Sequence, residues 1–571
     1  MQMRDFVVRF AGEGGQGVVT SAEGLAQAST QVGYHALTYA TFPSQILGGP
    51  TWTQARISVD PILSAGDDVD VLVAFNREAY DTHREDVRDG GLVIYNSNDF
   101  QLDGDDRSYG LPIDELARTT GNNRAANMVI MGALAHLVNM PQTYLEEFVE
   151  ARFRRGRAND DEIIDSNNLA LKLGRDETSQ SGFVLGDLTP PEMPEYPQVM
   201  LKGNEAISLG ALAAGLDFYV GYPISPATTI LVFMERNLVG EGKFAYQVSS
   251  EIESITALLG GGYAGKKAMT ATAGPGFSLM SEGLGLGWMA EIPLVVVDVQ
   301  RGGPATGLPT KTEQSDLLAC MFPAHGDVKL PVIAVGTVEE CFFGAVKALN
   351  WAERYQGPVI LMTEMALAER VQNIHRPDLS KVQPERRMIY DGNNGYNRYQ
   401  GNEISPMPLP GGPGAYVANG SEHDEMGDTT HLPSRHVQMT ERRFGKLKLL
   451  EENEYEAENT NEPVAVMPWG GSKGPALEAF NQLQEQGVSV GWYYTMLLSP
   501  LPPKLLEELR QKELVIVPEL NYQGQFSGIL RSQGVNAVSI TQYTGLPFKV
   551  RDLVKRITEM NNSHRKEMVR A

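Results

Sequence analysis

The sequence predicts an α/β protein that is built from several domains with largely parallel sheets. Short apolar runs alternate with segments of helical periodicity, which is the pattern of βαβ units. Some runs, such as Ile-Pro-Leu-Val-Val-Val-Asp-Val at 292–299, are almost continuously apolar, which is typical of parallel strands covered on both faces. The chain has 571 residues, which is more than one hydrophobic core usually supports. We therefore expect several domains, each with its own sheet.

Changes in composition divide the chain into five segments. A first α/β domain is expected at 1–175, a polar and Pro-rich linker at 176–198, a second α/β domain at 199–372, an extended connecting arm with little regular structure at 373–460, and a last α/β domain at 461–571.

Individual elements follow from apolar runs and from helical periodicity. The expected strands are Phe6–Phe10, Tyr34–Phe42, Val69–Phe75, Gly91–Tyr95, Lys267–Thr272, Pro293–Val299, Pro358–Thr363, Val464–Gly471 and Glu513–Leu520. The expected helices include Val18–Ser29, Ala125–Leu137 and Gly474–Gln486.

Composition excludes several classes of protein. The formal net charge of −23 argues against a nucleic-acid-binding protein, because phosphate backbones are bound by clustered Lys and Arg. No run approaches the roughly 18 consecutive apolar residues of a membrane-spanning helix. The first residues lack the pattern of an export signal, so a cytoplasmic location is expected. Two cysteines are too few for a disulfide framework, a Cys-rich zinc site or a four-thiolate iron–sulfur cluster.

A glycine-rich loop follows the first expected strand. Gly12, Gly14, Gly15 and Gly17 match the G-x-G-x-x-G pattern, in which backbone N–H groups at a helix N-terminus approach a phosphate. A dinucleotide site also needs an acidic residue about 20 residues further on, and none stands there. Glu13 inside the loop would repel a pyrophosphate. Two interpretations remain, a tight strand–helix turn and a site for another phosphate-bearing ligand.

Three segments of the second α/β domain combine polar and turn residues next to apolar runs. They are 221–229 (Gly-Tyr-Pro-Ile-Ser-Pro-Ala-Thr-Thr), 249–265 and 299–314. Open α/β sheets bind ligands outside the carboxyl ends of their strands. We therefore expect the chemistry of the protein in these segments.

The same segments resemble the thiamine pyrimidine domain of the 2-oxoacid:ferredoxin oxidoreductases. The resemblance lies in the Tyr-Pro-Ile-Ser-Pro of 222–226, the helix opened by Glu251 before Ala-Thr-Ala-Gly-Pro-Gly at 271–276, and Arg301 before Gly-Leu-Pro-Thr-Lys-Thr. The loop Gly-Glu-Gly-Gly-Gln-Gly resembles the gamma domain of that family, and residues 461–571 resemble its transketolase-C-like domain. The resemblance covers the chain in gamma-then-alpha order and is closest to the enzymes for 2-oxoglutarate.

The resemblance implies a role for an acid next to the cofactor. A carboxyl group that hydrogen-bonds the N1′ atom of the aminopyrimidine shifts thiamine to its imino form. By resemblance this group is Glu251, with Glu253 as the alternative register, and Pro223 also lies against the pyrimidine. The glycines of the N-terminal loop become a possible site for coenzyme A. Leu47 stands where the family has an arginine in a second glycine turn.

The resemblance also implies a set of substrate-binding residues. Arg301 would hold the C1 carboxylate of a 2-oxoacid through a bidentate pair. Ser225 stands where the family has Thr, so the hydroxyl is kept and a methyl group is lost. A second, distal carboxylate needs a further anchor. The full expected set is Tyr222, Ser225, Arg301, Thr306, Thr310, Lys311 and His325.

The chain lacks the family's Gly-Asp-Gly segment with its later Asn, and Gly104-Asp105-Asp106 does not supply it. The resemblance therefore implies a beta subunit that carries Mg²⁺, the diphosphate site and a [4Fe-4S] cluster, in an alpha2beta2 assembly. Coenzyme A would be the co-substrate and ferredoxin the electron acceptor. A pyruvate or branched-chain 2-oxoacid enzyme is the alternative within the family. A non-catalytic scaffold and a dinucleotide-dependent dehydrogenase are the alternatives outside it.

Overall fold

The computed structural model describes residues 2–43, 49–102, 107–393, 396–402 and 404–570, with only the backbone of 567–570. The chain forms two compact units. One unit consists of Met1–Leu201 with Arg370–Arg376, and the other of Lys202–Glu369 with Pro377–Ala571. Among the described residues, none of the helices combines the length and the apolar character that a membrane span needs.

The first part of the chain forms nine strands and six α-helices among its described residues. The strands are β1 Gln2–Met3, β2 Asp5–Glu13, β3 His35–Thr41, β4 Pro50–Ser58, β5 Val69–Ala74, β6 Val87–Asn96, β7 Ser108–Leu111, β8 Asp187–Leu188 and β9 Gln198–Lys202. The helices are α1 Val18–Gln31, α2 Arg77–His83, α3 Ile113–Thr119, α4 Ala126–Leu137, α5 Gln142–Phe153 and α6 Asp160–Gln180.

The expected strands and helices of this region are confirmed, with two differences. Sequence reasoning missed β4, which pairs antiparallel with both β2 and β3, so this sheet is mixed rather than purely parallel. Its residues alternate with polar Thr, Gln and Arg, so the run does not look apolar. Helix α6 extends to Gln180, past the expected start of the linker at 176.

The central part of the chain alternates strands and helices. The strands are β10 Phe218–Gly221, β11 Phe244–Gln247, β12 Ala268–Thr272, β13 Leu294–Gln300, β14 Val332–Ala334 and β15 Pro358–Glu364. The helices are α7 Gly203–Ala213, α8 Thr228–Asn237, α9 Glu251–Tyr263, α10 Gly274–Leu279, α11 Ser281–Met289, α12 Leu317–Met321, α13 Val338–Tyr355 and α14 Met365–Ala368. The strands pair in the parallel order β11-β10-β12-β13-β15-β14, as the apolar runs predicted.

The next strand, β16 at Val371–His375, returns to the first unit. It lies between β3 and β9 in the sheet of order β7-β6-β5-β2-β4-β3-β16-β9. The Asn373 side chain accepts a hydrogen bond from Ala36 N (2.8 Å) and donates one to Gln198. The expected domain boundary at 372/373 is therefore wrong, because it falls inside a paired strand.

The remaining α-helices are α15 Pro433–Gly445, α16 Lys473–Glu485, α17 Pro503–Arg510, α18 Gln525–Ser532 and α19 Val550–Arg570. The remaining strands are β17 Glu456–Glu458, β18 Val464–Val466, β19 Gly491–Tyr494, β20 Leu497–Ser499, β21 Leu514–Glu519 and β22 Ala537–Thr541. Five of the strands form a sheet of order β17-β19-β18-β21-β22, and β20 pairs antiparallel with β14 in the central sheet.

Helix α15 contradicts the expectation that 373–460 has little regular structure. Its sequence is very polar, and two of its three buried residues are the arginines Arg442 and Arg443. A helix whose inward face carries charge shows no apolar stripe, so periodicity could not reveal it. Arg443 pairs with Glu422 of the same arm, whereas the partner of Arg442 lies far away in the sequence.

That partner is Glu291, a buried residue between α11 and β13. Its carboxylate accepts hydrogen bonds from Arg442 Nε (2.8 Å) and Lys446 Nζ (2.8 Å), while Arg398 Nη2 donates to its carbonyl (3.0 Å). Burial alone would raise the pKa of Glu291, but the three cations hold it well below its usual value. This cluster connects the arm at 373–460 to the residue that precedes β13 of the central sheet.

We expect Glu291→Gln to lower the free energy of unfolding by about 3–5 kcal/mol, because it leaves buried cations without their counterion. The pKa of Glu291 is depressed, so this stabilisation is present above the carboxyl's unfolded pKa and is lost on acidification. Urea unfolding of the wild type and the variant measures the difference. Glu282→Gln, at an exposed position of α11, is the control and should unfold like the wild type.

Candidate active site

The candidate site lies at one edge of the central sheet. Strands β11, β10, β12 and β13 are neighbours and parallel, so their carboxyl ends meet at this edge. The segments that follow these strands are 248–251, 222–227, 273–276 and 301–316. The sheet thus brings together the three segments in which we expected the chemistry, as the carboxyl-edge rule predicts.

Glu251 is the first residue of α9 and points inward. The helix begins here because Ser250 caps it, and its hydroxyl accepts a hydrogen bond from Glu253 N (3.2 Å). Glu251 is only 6% exposed, and its carboxyl lies against Gly276 and Thr272. Among the described residues its carboxyl finds no hydrogen-bond donor. A carboxyl without a donor keeps its hydrogen-bonding capacity for a ligand group at this edge.

Glu253 has a different environment. Its carboxylate is exposed and accepts hydrogen bonds from Ser249 N (2.8 Å) and Ser249 Oγ (2.6 Å). These two bonds hold the pKa of Glu253 below its usual value. Glu253 therefore completes the cap of the helix, and the geometry favours Glu251 over Glu253 as the acid that faces the site.

The turn after β12 accommodates Glu251 because it consists of small residues. A Cβ atom at Gly276 would overlap Oε1 of Glu251 and Oγ1 of Thr272. The other glycine of the turn, Gly274, lies equally close to a second acid, since a Cβ atom there would be 2.7 Å from Oδ2 of Asp316. The Ala-Gly-Pro-Gly sequence thus allows two carboxyl groups to approach one turn.

Arg301 and the loop after β10 are in direct contact. Nη1 of Arg301 donates a hydrogen bond to the carbonyl of Ser225 (2.7 Å), and the arginine is 7% exposed. Burial lowers the pKa of Arg301, and its Nε has no partner among the described residues. Tyr222 and the Ser225 side chain are exposed, and Pro223 is partly buried. The structure therefore places the expected carboxylate-binding arginine beside the expected hydroxyl.

The loop after Arg301 carries three of the expected anchors. Gly302 N donates to the carbonyl of Lys311 (3.1 Å), so the two ends of the loop meet next to Arg301. Lys311 and Thr310 at this base are partly buried, and burial lowers the pKa of Lys311. Thr306 lies in the exposed part of the loop. Lys311 and Thr310 therefore lie at the end of the loop that meets Arg301, whereas Thr306 lies away from it.

His325 does not join this group. It is exposed, and its Nδ1 lies 3.8 Å from Glu282 Oε2. It lines a surface groove of about 800 Å³ together with residues of α9, α11 and α15, and none of Tyr222, Ser225 and Arg301 lines that groove. The structure therefore gives no support to His325 as a substrate anchor within this chain.

The glycine-rich loop belongs to the other unit. Gly17 has a φ of 88° and packs against the Asn127 side chain, and Gly12 lies against Phe75, so both are required by packing. Gly14 and Gly15 are exposed, and a Cβ atom at either would contact nothing within 4 Å. Gly15 has a φ of 99°, which favours glycine, so the turn interpretation accounts for Gly12, Gly15 and Gly17 but not for Gly14. Leu47 and the Gly104-Asp105-Asp106 run lie outside the described residues.

Known proteins are similar to this chain over nearly its whole length. The model of the pyruvate flavodoxin/ferredoxin oxidoreductase thiamine diphosphate-binding family matches residues 209–442, and that of the pyruvate ferredoxin/flavodoxin oxidoreductase family matches residues 7–177. The 2-oxoglutarate oxidoreductase subunit KorA of Mycobacterium tuberculosis is 31% identical over 96% of this chain and 90% of its own. The alpha subunit of 2-oxoacid:ferredoxin oxidoreductase 2 of Aeropyrum pernix is 30% identical over 98% of both chains.

The chain belongs to the alpha subunits of the 2-oxoacid:ferredoxin oxidoreductases. A solved structure of 2-oxoglutarate:ferredoxin oxidoreductase from Magnetococcus marinus, with 2-oxoglutarate, coenzyme A and succinyl-CoA bound, is 36% identical and has a TM-score of 0.92. The match covers 98% of this chain and 100% of that one. The expected fold class, family and enzyme class are confirmed.

Sequence reasoning missed two acids near the candidate site, Asp298 and Asp316. Asp298 lies in β13 and is fully buried, and Asp316 precedes α12 next to the Gly274 turn. Burial and the charge of Asp316 raise the pKa of Asp298 well above its usual value. A signal was present in the sequence, because one aspartate interrupts the apolar run of a strand that is buried on both faces.

We expect Gly276→Ala to lower the rate of 2-oxoacid oxidation about 10²-fold. The new methyl group would overlap the Glu251 carboxyl and push it out of its position. The assay uses the chain in complex with its catalytic partner. Gly260→Ala is the matched control, since it lies on the open side of the same helix α9 and should keep wild-type activity. A fully active Gly276→Ala enzyme would show that Glu251 is not held by this turn for catalysis.

Proposed function

We propose that the chain is the alpha subunit of a 2-oxoglutarate:ferredoxin oxidoreductase. The enzyme oxidatively decarboxylates 2-oxoglutarate with coenzyme A to succinyl-CoA and CO₂ and reduces ferredoxin, and the reaction is reversible in principle. The observation that carries the proposal is Glu251, a largely buried residue whose carboxyl has no donor among the described residues and which shares a sheet edge with Arg301. The similarity to the Magnetococcus marinus enzyme over the whole chain supports the choice of substrate.

The residues fit the pyrimidine half of thiamine diphosphate. Glu251 would share a proton with N1′ of the aminopyrimidine, and Pro223 of the neighbouring loop would pack against the ring. When bound, this cofactor supplies the nucleophilic carbon that attacks the 2-oxo group. The Glu251 residue is only 6% exposed, so little of it faces bulk water.

The residues around Arg301 fit a 2-oxoacid. The guanidinium would bind the C1 carboxylate, because its Nε and one terminal nitrogen are not used by the hydrogen bond to Ser225. The Ser225 hydroxyl and Tyr222 would contact the same substrate from the loop after β10. Lys311, with Thr310 and Thr306, would hold the distal carboxylate that distinguishes 2-oxoglutarate from pyruvate and from branched-chain 2-oxoacids.

A beta subunit must complete the site. The chain has two cysteines, both buried, so a [4Fe-4S] cluster with four thiolates belongs to the partner, together with Mg²⁺ and the diphosphate site. We propose an alpha2beta2 assembly in the cytoplasm that passes electrons to ferredoxin. Coenzyme A would approach Gly14 and Gly15 of the gamma-type domain at 1–175, while residues 461–571 would act as the transketolase-C-like domain.

Glu251→Gln should reduce turnover by about 10²–10⁴-fold, the usual loss for an acid–base partner, while the nearly isosteric side chain preserves the fold. The rate of 2-oxoglutarate-dependent reduction of ferredoxin by the complex with the beta subunit measures it. Glu253→Gln, two positions away on the exposed side, should retain turnover because it acts only in the helix cap. If Glu253→Gln is inactive and Glu251→Gln is active, the acid assignment passes to Glu253.

Two further substitutions separate the two substrate carboxylates. Arg301→Gln should raise KM for 2-oxoglutarate and for 2-oxobutyrate alike, because both carry the C1 carboxylate. Lys311→Met should raise KM for 2-oxoglutarate by roughly ten- to a hundred-fold more than for 2-oxobutyrate, as loss of a charge-assisted hydrogen bond predicts. Lys504→Met, an exposed lysine of α17, is the control. A wild-type enzyme that uses pyruvate as efficiently as 2-oxoglutarate would contradict the substrate assignment.

A further inference from the structure

The carboxyl edge of the last sheet holds a segment of its own chain. Strands β18, β21 and β22 are parallel neighbours, so the segments 467–470, 520–524 and 542–546 that follow them meet at one edge. Open α/β sheets usually bind a ligand at such an edge. Here each of the three segments exchanges hydrogen bonds with the loop 301–316, which begins at Arg301 of the candidate site. This edge of the last domain is therefore occupied by the loop.

Gln314 is the residue through which the edge holds the loop most firmly. It is 0% exposed, and its side chain donates a hydrogen bond to the carbonyl of Trp469 (2.8 Å) and accepts one from Leu520 N (3.0 Å). Its backbone N donates to the Leu520 carbonyl (2.8 Å), and its own carbonyl accepts a hydrogen bond from Asn521 Nδ2 (3.0 Å). Four hydrogen bonds around one buried residue fix the loop against the sheet edge.

Gly545 lies against the stem of Lys311. Thr312 N donates a hydrogen bond to the Gly545 carbonyl (3.2 Å), which brings the end of the loop beside the segment after β22. A Cβ atom at Gly545 would be 2.8 Å from Cβ of Lys311 and 3.2 Å from its Cγ. Gly545 also has a φ of 73°, a conformation that favours glycine. The first atoms of the Lys311 side chain thus pack directly on the backbone of the last domain.

The charged end of Lys311 is not used by the fold. The residue is partly buried, and among the described residues its ammonium group has no hydrogen-bond or ion-pair partner. The Lys311 carbonyl accepts a hydrogen bond from Gly302 N (3.1 Å), so this lysine stands at the loop end that meets Arg301. A cation whose stem is held and whose charge is unpaired is available for an anionic group of a ligand.

We propose that Gly545 is a positioning residue for Lys311, so that the last domain at 461–571 determines the selectivity for 2-oxoacids with a distal carboxylate. The inference rests on the proposed function, because Lys311 must be the anchor of that carboxylate. Gln314 fixes the loop, and Gly545 fixes where the lysine stem leaves it. A substrate without a distal carboxylate, such as 2-oxobutyrate, does not depend on this contact.

Gly545→Ala tests the contact, because its methyl group must move the Lys311 stem. KM and kcat for 2-oxoglutarate and 2-oxobutyrate are measured on the complex with the beta subunit, with a viologen dye as electron acceptor. We expect KM for 2-oxoglutarate to rise about tenfold more than KM for 2-oxobutyrate, and kcat to change less than KM. Gly487→Ala is the matched control from the same domain. Gly487 has the same φ of 73°, but a Cβ atom there would contact nothing within 4 Å, so the wild-type ratio of the two KM values should remain.

A double-mutant cycle shows whether Gly545 acts through Lys311. Lys311→Met removes the ammonium group, so the addition of Gly545→Ala to it should change the ratio of the two KM values no further. Additive effects on this ratio would show that Gly545 acts by another route and would overturn the proposal. Turnover of 2-oxobutyrate reports whether each variant is folded, because this substrate does not use Lys311.

Gln525→Glu is a second variant that loosens the same loop without touching Lys311. Gln525 Nε2 donates to the carbonyl of Ser315 (2.7 Å) and its Oε1 accepts from Leu318 N (3.0 Å), so the carboxylate keeps the acceptor and loses the donor. It should shift the KM ratio in the same direction as Gly545→Ala. If Lys311→Met leaves the ratio unchanged, the anchor assignment fails and the inference fails with it. If Lys311→Met changes the ratio but Gly545→Ala and Gln525→Glu both keep the wild-type ratio, the positioning role alone is refuted.

Discussion

The parallel pairing of β11, β10, β12 and β13 is the constraint on which the candidate site depends. Each strand ends in a segment that would be an ordinary surface loop elsewhere. Because the strands run in the same direction, their backbone hydrogen bonds place the segments after them side by side at one edge. Glu251 and Arg301 are separated by 50 positions along the chain, and the sheet makes them parts of one surface.

The same edge concentrates groups that weaken the fold. Glu251 and Asp298 are buried residues, and Asp316 has one buried carboxyl oxygen without a partner among the described residues. The cluster of Glu291 with Arg398, Arg442 and Lys446 is different, because its one carboxylate is shared by three cations. Buried charge thus occurs in two forms in this chain, as ion pairs where it connects the arm and as carboxyls without cationic partners near the candidate site. Residues kept at a cost to stability are commonly those that act on a ligand.

Much of this could be predicted from the sequence, and the failures have physical reasons. The nearly continuous apolar runs predicted β12, β13 and β15, because a strand covered on both faces needs no polar positions. Helix α15 was missed because its inward face carries Arg442 and Arg443, and the partner of Arg442, Glu291, lies about 150 positions earlier. The choice between Glu251 and Glu253 required coordinates, since both residues begin one helix and only their orientation differs. Asp316 was missed because the turn that it approaches, at Gly274, follows a different strand.

Strand β16 has a consequence for how the chain could be divided. Its position between β3 and β9 means that the first sheet is assembled from two stretches of sequence separated by an entire domain. A single cut near residue 201 would leave β9 without its neighbour and would turn β3 into an open edge with free N–H and C=O groups. Autonomous production of the first unit therefore requires grafting the short 370–376 segment onto it, for example through a designed connection after β9. In evolutionary terms, such a shared strand couples the two units, so that neither can be lost or exchanged by one simple recombination event.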